Sequence, residues 1–265
     1  MKVDAAANDP STGAVVEVTN PSGAGDVLLV CEHASNFIPP DLGNLGLDDG
    51  ALASHIAWDP GALAVAQAMS RTLDAPLVAM RVSRLVYDCN RPPEAASAVA
   101  EDSEIYRIPG NTGLDAAQRL ARADRLYRPF CRTLATCLDS ASRRRPPVLV
   151  TIHSFTPVYH GTPRTVEIGI LHDADARFAD AMLRLAAADG DRLVRRNEPY
   201  GPEDGVTHTL AAHALPRGLL NVMIEIRNDL VASSGDQQAM AARLSRWVAG
   251  ALAALRGAAD GPDRA

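Results

Sequence analysis

Charged, amide and imidazole side chains sit at or just past the ends of apolar runs in four separate stretches. His33 and Asn36 follow VLLVC; Arg84, Asp88, Asn90 and Arg91 fall in and after VSRLVYDCNRP; His153 and Ser154 close VLVTIHSF; Glu225 and Arg227 occur in VMIEIRND. A charge set against a buried run costs several kcal/mol unless it is paired or serves a ligand, so four such stretches point to one shared site. Two histidines on different strands plus a carboxylate are the donor set of a catalytic zinc site, which keeps a fourth position open for water. Glu32 and His33 are neighbours and point to opposite faces of an extended strand, so they are not expected to share an ion. The partners expected for His33 are His153 and a carboxylate from elsewhere. Asp59 is the best placed, and its position before Pro60 reads equally as a helix N-cap.

The elements that must position these groups are legible as a βα alternation. VLLVC, PLVAMRVSRLVYDC, PPVLVTIHSF, TVEIGILH and LLNVMIEIR are apolar, β-branched runs of strand length, and their continuity indicates strands covered on both faces. Between them lie amphipathic helical patterns: from Gly61 onward, in LDAAQRLARADRLYRPFCRTLATCLDSASRR, in DADARFADAMLRLAA and in DQQAMAARLSRWVAGALAAL. The expected fold is α/β, a mixed and mostly parallel sheet between two helical layers, with ligands at the carboxyl ends of strands. No internal repeat is visible. The run Arg143-Arg144-Arg145 reads as a solvated helix end whose cations complement the dipole.

Composition limits the rest. A chain of 265 residues with 47% hydrophobic content can bury a full core. We expect a single domain over residues 25–256, a loose lead-in at 1–24 rich in Ala, Gly, Pro, Ser and Asn, and a similar tail at 257–265. The net charge of −6 argues against nucleic acid as a partner. The four cysteines lack C-x-x-C spacing and follow no signal-peptide pattern, which reads as reduced thiols in a cytoplasm. Apolar runs are too short for a membrane span of about 20 residues.

Five of these segments, VLLVCEHASNFIP, HIAWDPGALAVA, SRLVYDCNRP, TIHSFTP and VMIEIRNDL, occur in the order and approximate spacing of the N-formylglutamate amidohydrolase family, over about Asn20 to Leu255. The resemblance implies a zinc-exopeptidase-like α/β fold, a Zn²⁺ cofactor, and hydrolysis of N-formylglutamate to formate and glutamate, late in histidine breakdown. It is more distantly similar to aspartoacylases and metallocarboxypeptidases, whose first strand ends in a zinc-binding H-x-x-E. Here that place reads His33-Ala34-Ser35-Asn36, and an amide is a poor zinc ligand beside a carboxylate. Asp59 is the expected substitute, with His33 and His153 completing the metal set.

By the same resemblance Arg84 polarises the scissile carbonyl, while Asn90 and Arg91 grip a substrate carboxylate, a task suited to the planar guanidinium fork. Asp88 holds one of these arginines or forms a structural ion pair. Glu225 resembles the general base; its alternative is a buried partner of Arg227 or another arginine. Thr207 and His208 lie in the loop EPYGPEDGVTHTL, long enough for a lid, and are read as contacts to a small N-acyl amino acid substrate or, equally, as ordinary loop residues. His55 is expected at the surface, with a place behind the site or against the substrate as its alternative, His160 and His172 solvated, and His213 structural. Two other readings stand beside the amidohydrolase: a zinc exopeptidase acting on peptides, and a catalytically silent binding protein, which Asn36 favours. Oligomeric state carries no signal in the sequence.

Overall fold

The computed structural model describes residues 15–259. Seven strands form its main sheet: β1 (Val16–Thr19), β2 (Val27–Cys31), β3 (Leu77–Met80), β4 (Val148–Phe155), β5 (Ile168–Leu171), β6 (Val194–Arg196) and β7 (Asn221–Arg227). Their order is β1-β3-β2-β4-β7-β5-β6. The central four, β3, β2, β4 and β7, are parallel, so their carboxyl ends open on the same edge. β1 closes one side antiparallel to β3, and β5 is antiparallel to β7 on the other. The sheet is mixed and mostly parallel, as the alternation of elements implies.

Strand alternation divides the apolar residues between two cores. Val27 and Leu29, Val148, Val150 and Ile152, and Val222, Ile224 and Ile226 pack against helices α1 (Ala62–Leu73), α4 (Arg177–Asp189) and α5 (Ser234–Ala259). Leu28 and Val30, Leu149 and Met223 face the other way, toward a long helix whose first part, α2 (Ala116–Arg122), passes through a π turn (Ala123–Tyr127) into α3 (Arg128–Ser142). Burying one such aliphatic side chain contributes about 1.5–3 kcal/mol. The run Val27–Val30 alone therefore contributes on the order of 10 kcal/mol, enough to carry the buried polar pair Glu32 and His33 that follows it.

Several elements differ from the expectation. PLVAMRVSRLVYDC is a strand only over Leu77–Met80. Val82, Leu85, Val86 and Tyr87 beyond it are buried in the core under α3, so their apolar character serves a packed loop rather than sheet pairing. Val16–Thr19, inside the stretch read as a lead-in, is an edge strand; residues 1–14 of that stretch lie outside the described residues. Likewise α5 continues to Ala259, and the remainder of the expected tail lies outside them. Arg144 and Arg145 are not simply solvated, since they bond Gly23 O and Asp26. The cysteines are free thiols, and among the described residues no helix is long and apolar enough to cross a membrane.

Helix α1 begins without a side-chain cap. Its N-cap is Gly61 at φ 82°, and a Cβ there would lie 2.6 Å from Val231 Cγ2 and 2.8 Å from Val231 O. Both the left-handed backbone and the close approach demand glycine. Gly61→Ala is expected to lower stability by about 2–4 kcal/mol in urea unfolding, with loss of metal affinity because the Asp59 loop must move.

Candidate active site

The buried groups His33, Asp59, Asp88, His153 and Glu225 gather at the carboxyl edge of the parallel strands. The β4–β7 register sets His153 directly beside Glu225 on the face of the second core. Gly169 is the partner of Glu225 on β5, and a Cβ there would lie 2.1 Å from Glu198 O, so the close approach of that backbone demands glycine. His33 follows β2, and the loop after it returns Asp59 alongside: the Asp59 N–H donates to His33 O at 2.9 Å. Ser83 Oγ donates to Ala57 O and Ser154 Oγ to Pro60 O, tying this loop to the ends of β3 and β4. Asp59 caps nothing. Its Oδ2 instead accepts from Ser154 N at 3.2 Å and faces both imidazoles, which removes the N-cap alternative.

Three atoms converge: His33 Nδ1, His153 Nδ1 and Asp59 Oδ2. The two nitrogens are 3.3 Å apart, and the carboxylate oxygen lies 3.3 Å from the first and 3.0 Å from the second. Each imidazole meets another carboxylate at its far nitrogen: His33 Nε2 lies 2.7 Å from Asp88 Oδ1, and His153 Nε2 lies 3.1 Å from Glu32 Oε2. The His33 bond is well formed; the His153 contact is an ion-pair approach without hydrogen-bond alignment. Carboxylates only accept, so the ring protons belong on Nε2 and the Nδ1 lone pairs point at one another and at Asp59. Such a trio repels unless a cation sits among it. A tetrahedral site with bonds of about 2.0–2.1 Å has ligand-to-ligand edges of about 3.3–3.4 Å, close to the edges found here. All three residues are buried, so they could hold a metal ion, with Asp88 and Glu32 orienting its imidazole ligands.

The electrostatics agree with this division of labour. Burial opposes charge on His33 and His153, yet the carboxylates around them prevail and hold both rings more basic than an ordinary imidazole. Burial likewise opposes ionisation of Asp59 and Asp88, and the neighbouring imidazoles and Arg84 overcome it, keeping both carboxyls well below the usual range. Glu225 differs: burial pushes its carboxyl up to about 7. Its Oε2 has no hydrogen-bond partner and stands beside His153, free to accept a proton. The Arg227 side chain instead pairs with Asp229, so Arg227 is not the partner of Glu225.

These groups line a cavity of about 480 Å³. Arg84 is anchored on its wall by Asp59 Oδ1 at 3.4 Å and Asp88 Oδ2 at 3.1 Å. Asp88 thus holds both an imidazole and an arginine. Arg91 also lines the cavity and donates to Asp204 O. Asn90 lies on the wall as well, but its amide is engaged at both ends, donating to Val206 O and accepting from Thr209 N, which pins the loop carrying Asp204 and Val206. Thr207 and His208 fall outside the lining: the Thr207 hydroxyl bonds Asp173, and His208 Nε2 lies 2.8 Å from the Tyr127 hydroxyl. Asn36 is exposed, donating to Leu52 O away from the imidazoles.

Sequence reasoning missed Glu104 and Arg164 and favoured the surface for His55. His55, expected at the surface, lines the cavity and pairs with Glu104 at 2.9 Å. Glu104 also accepts from His160 N, linking the hairpins Asp102–Arg107 and Val158–Pro163 at the mouth. Arg164 lines the cavity among Phe155, Tyr159 and Tyr200. None stands at the end of an apolar run, the signal that located the others.

A family model described as N-formylglutamate amidohydrolase matches residues 25–232. Among solved structures, gene product Atu2144 from Agrobacterium tumefaciens is similar at 59% identity, with a TM-score of 0.88 over 91% of this chain and 96% of that one. The N-formylglutamate amidohydrolase from Ralstonia eutropha JMP134 shares the fold at 20% identity, with a TM-score of 0.63 over 92% and 99% of the two chains. Among proteins of curated function, none matches the sequence. The motif order, the strand-end cluster and a family match across most of the chain agree, and the chain belongs to the N-formylglutamate amidohydrolase family.

Proposed function

We propose that the protein is a zinc-dependent amidohydrolase that removes a formyl or related small acyl group from an N-acylated acidic amino acid. The observation that carries this reading is the meeting of three buried acceptor atoms, each imidazole backed by its own carboxylate, beside a buried carboxyl with no partner of its own. Two nitrogens and one carboxylate oxygen form a donor set suited to zinc with one position left open. When bound, such an ion supplies water acidified from a pKa of about 15.7 towards 7 and a Lewis acid for the scissile carbonyl.

The chain's own residues carry the remaining steps. Glu225 Oε2 accepts the proton of the attacking water and returns it to the leaving nitrogen as the carbon–nitrogen bond breaks, leaving a carboxylic acid and an amine. General acid–base transfer of this kind contributes about 10²–10⁴-fold. Arg84, fixed by two carboxylates before substrate arrives, uses its remaining N–H groups to stabilise the oxyanion developing on the carbonyl. Arg91 holds the substrate's α-carboxylate. Asn90, Thr207 and His208 hold the loop around the cavity, a role that the bonds they make support. Asp59 offers the carboxylate that Asn36 lacks, which supports an active site over a silent one.

Three outcomes are expected. Protein loaded with zinc hydrolyses N-formyl-L-glutamate; chelation abolishes turnover, zinc restores it, and absence of turnover in the loaded protein counts against the proposal. Glu225→Gln keeps one equivalent of metal and loses kcat by about 10²–10⁴-fold, whereas His153→Ala loses the metal itself. Asp88→Asn, which frees His33 and Arg84 together, weakens zinc binding by about 10–100-fold in a chelator competition while the far-ultraviolet spectrum is retained.

A further inference from the structure

The cations of the cavity differ in how they are compensated. Arg84 faces Asp59 and Asp88, and Arg91 approaches Asp88 at 3.9 Å. Arg164 has no carboxylate within ion-pair distance among the described residues; its Nη1 donates to the Tyr200 hydroxyl at 2.7 Å. The guanidinium carbon lies 4.4 Å from the Tyr159 ring centroid, 4.7 Å from that of Tyr200 and 5.6 Å from that of Phe155. These three rings and Arg164 all line the cavity. Aromatic faces offset part of the cost of a half-buried cation and lock its plane, but they do not neutralise it. Burial pushes the Tyr200 hydroxyl up to about 12, so it keeps its proton and can donate as well as accept.

We propose that Arg164, held flat by Phe155, Tyr159 and Tyr200, is a specificity-determining residue that selects substrates bearing a second carboxylate on the side chain, at the end away from the scissile bond. This rests on the amidohydrolase reading above for which end is which. Arg91 and Arg164 then divide the two carboxylates, while Arg84 is reserved for the carbonyl oxygen. The fork of Arg164 and the hydroxyl of Tyr200 offer parallel donors to two oxygens of one group, whereas a neutral amide in the same place brings an N–H₂ against donors and gains nothing.

The test is equilibrium binding, by calorimetry on the zinc-loaded full chain, of L-glutamate and its neutral isostere L-glutamine, with wild type, Arg164→Met and Arg164→Lys. Wild type is expected to prefer glutamate by about 10–100-fold, the range of one charge-assisted bond set. Arg164→Met should erase that preference mainly by weakening glutamate, and Arg164→Lys, keeping charge without the fork, should fall between. No preference in wild type, or equal weakening of both ligands in the variants, overturns the assignment. Should Arg164→Met fail to fold, wild type and Arg164→Lys still decide it. Turnover is not read here, so a protein that binds glutamate selectively but hydrolyses nothing refutes the amidohydrolase reading and leaves the role of Arg164 intact.

Discussion

Three lone pairs aimed at one point are the constraint on which the rest of the site depends. His33 and His153 direct Nδ1 toward each other and toward Asp59 Oδ2, and the carboxylates of Asp88 and Glu32 take their far nitrogens. The mutual repulsion of the three acceptor atoms is relieved by a positive charge at their centre. The histidines come from two parallel strands that pair side by side, and the loop holding Asp59 is hydrogen-bonded to both strand ends. The two apolar cores above and below the sheet supply the stability that such a concentration of buried charge consumes.

The same architecture explains why each group has a separate task. Register places Glu225 next to His153 but gives its Oε2 no partner, so its proton equilibrium lies near neutrality while those of Asp59 and Asp88 do not. Arg84 shares both of those low carboxyls and is fixed before any substrate arrives. Arg164, among its three rings, has no carboxylate within ion-pair distance among the described residues.

Much of this was legible in the sequence because the physical signal was strong and local. Five apolar runs, each followed by a polar break, give the central strands and point to their carboxyl ends, and the opposite facing of Glu32 and His33 follows from the strand period alone. What strand period does not give is the destination of Glu32, which depends on the neighbouring strand bringing His153 against it. The edge strands Val16–Thr19 and Val194–Arg196 were missed because each pairs on one side only and lacks a continuous apolar run. Val82 to Tyr87 misled in the opposite sense, since a packed loop and a buried strand share the same hydrophobicity. His55, Glu104 and Arg164 lie on loops and hairpins whose approach to the cavity is a tertiary fact.

The most direct measurement of the central claim is X-ray absorption at the zinc edge of the purified, metal-loaded chain. The account predicts one tightly held ion per chain with nitrogen and oxygen neighbours at about 2.0–2.1 Å and the outer-shell scattering of two imidazoles, the latter falling to one in His33→Gln. An ion without imidazole scattering, or a spectrum unmoved by that substitution, would contradict it.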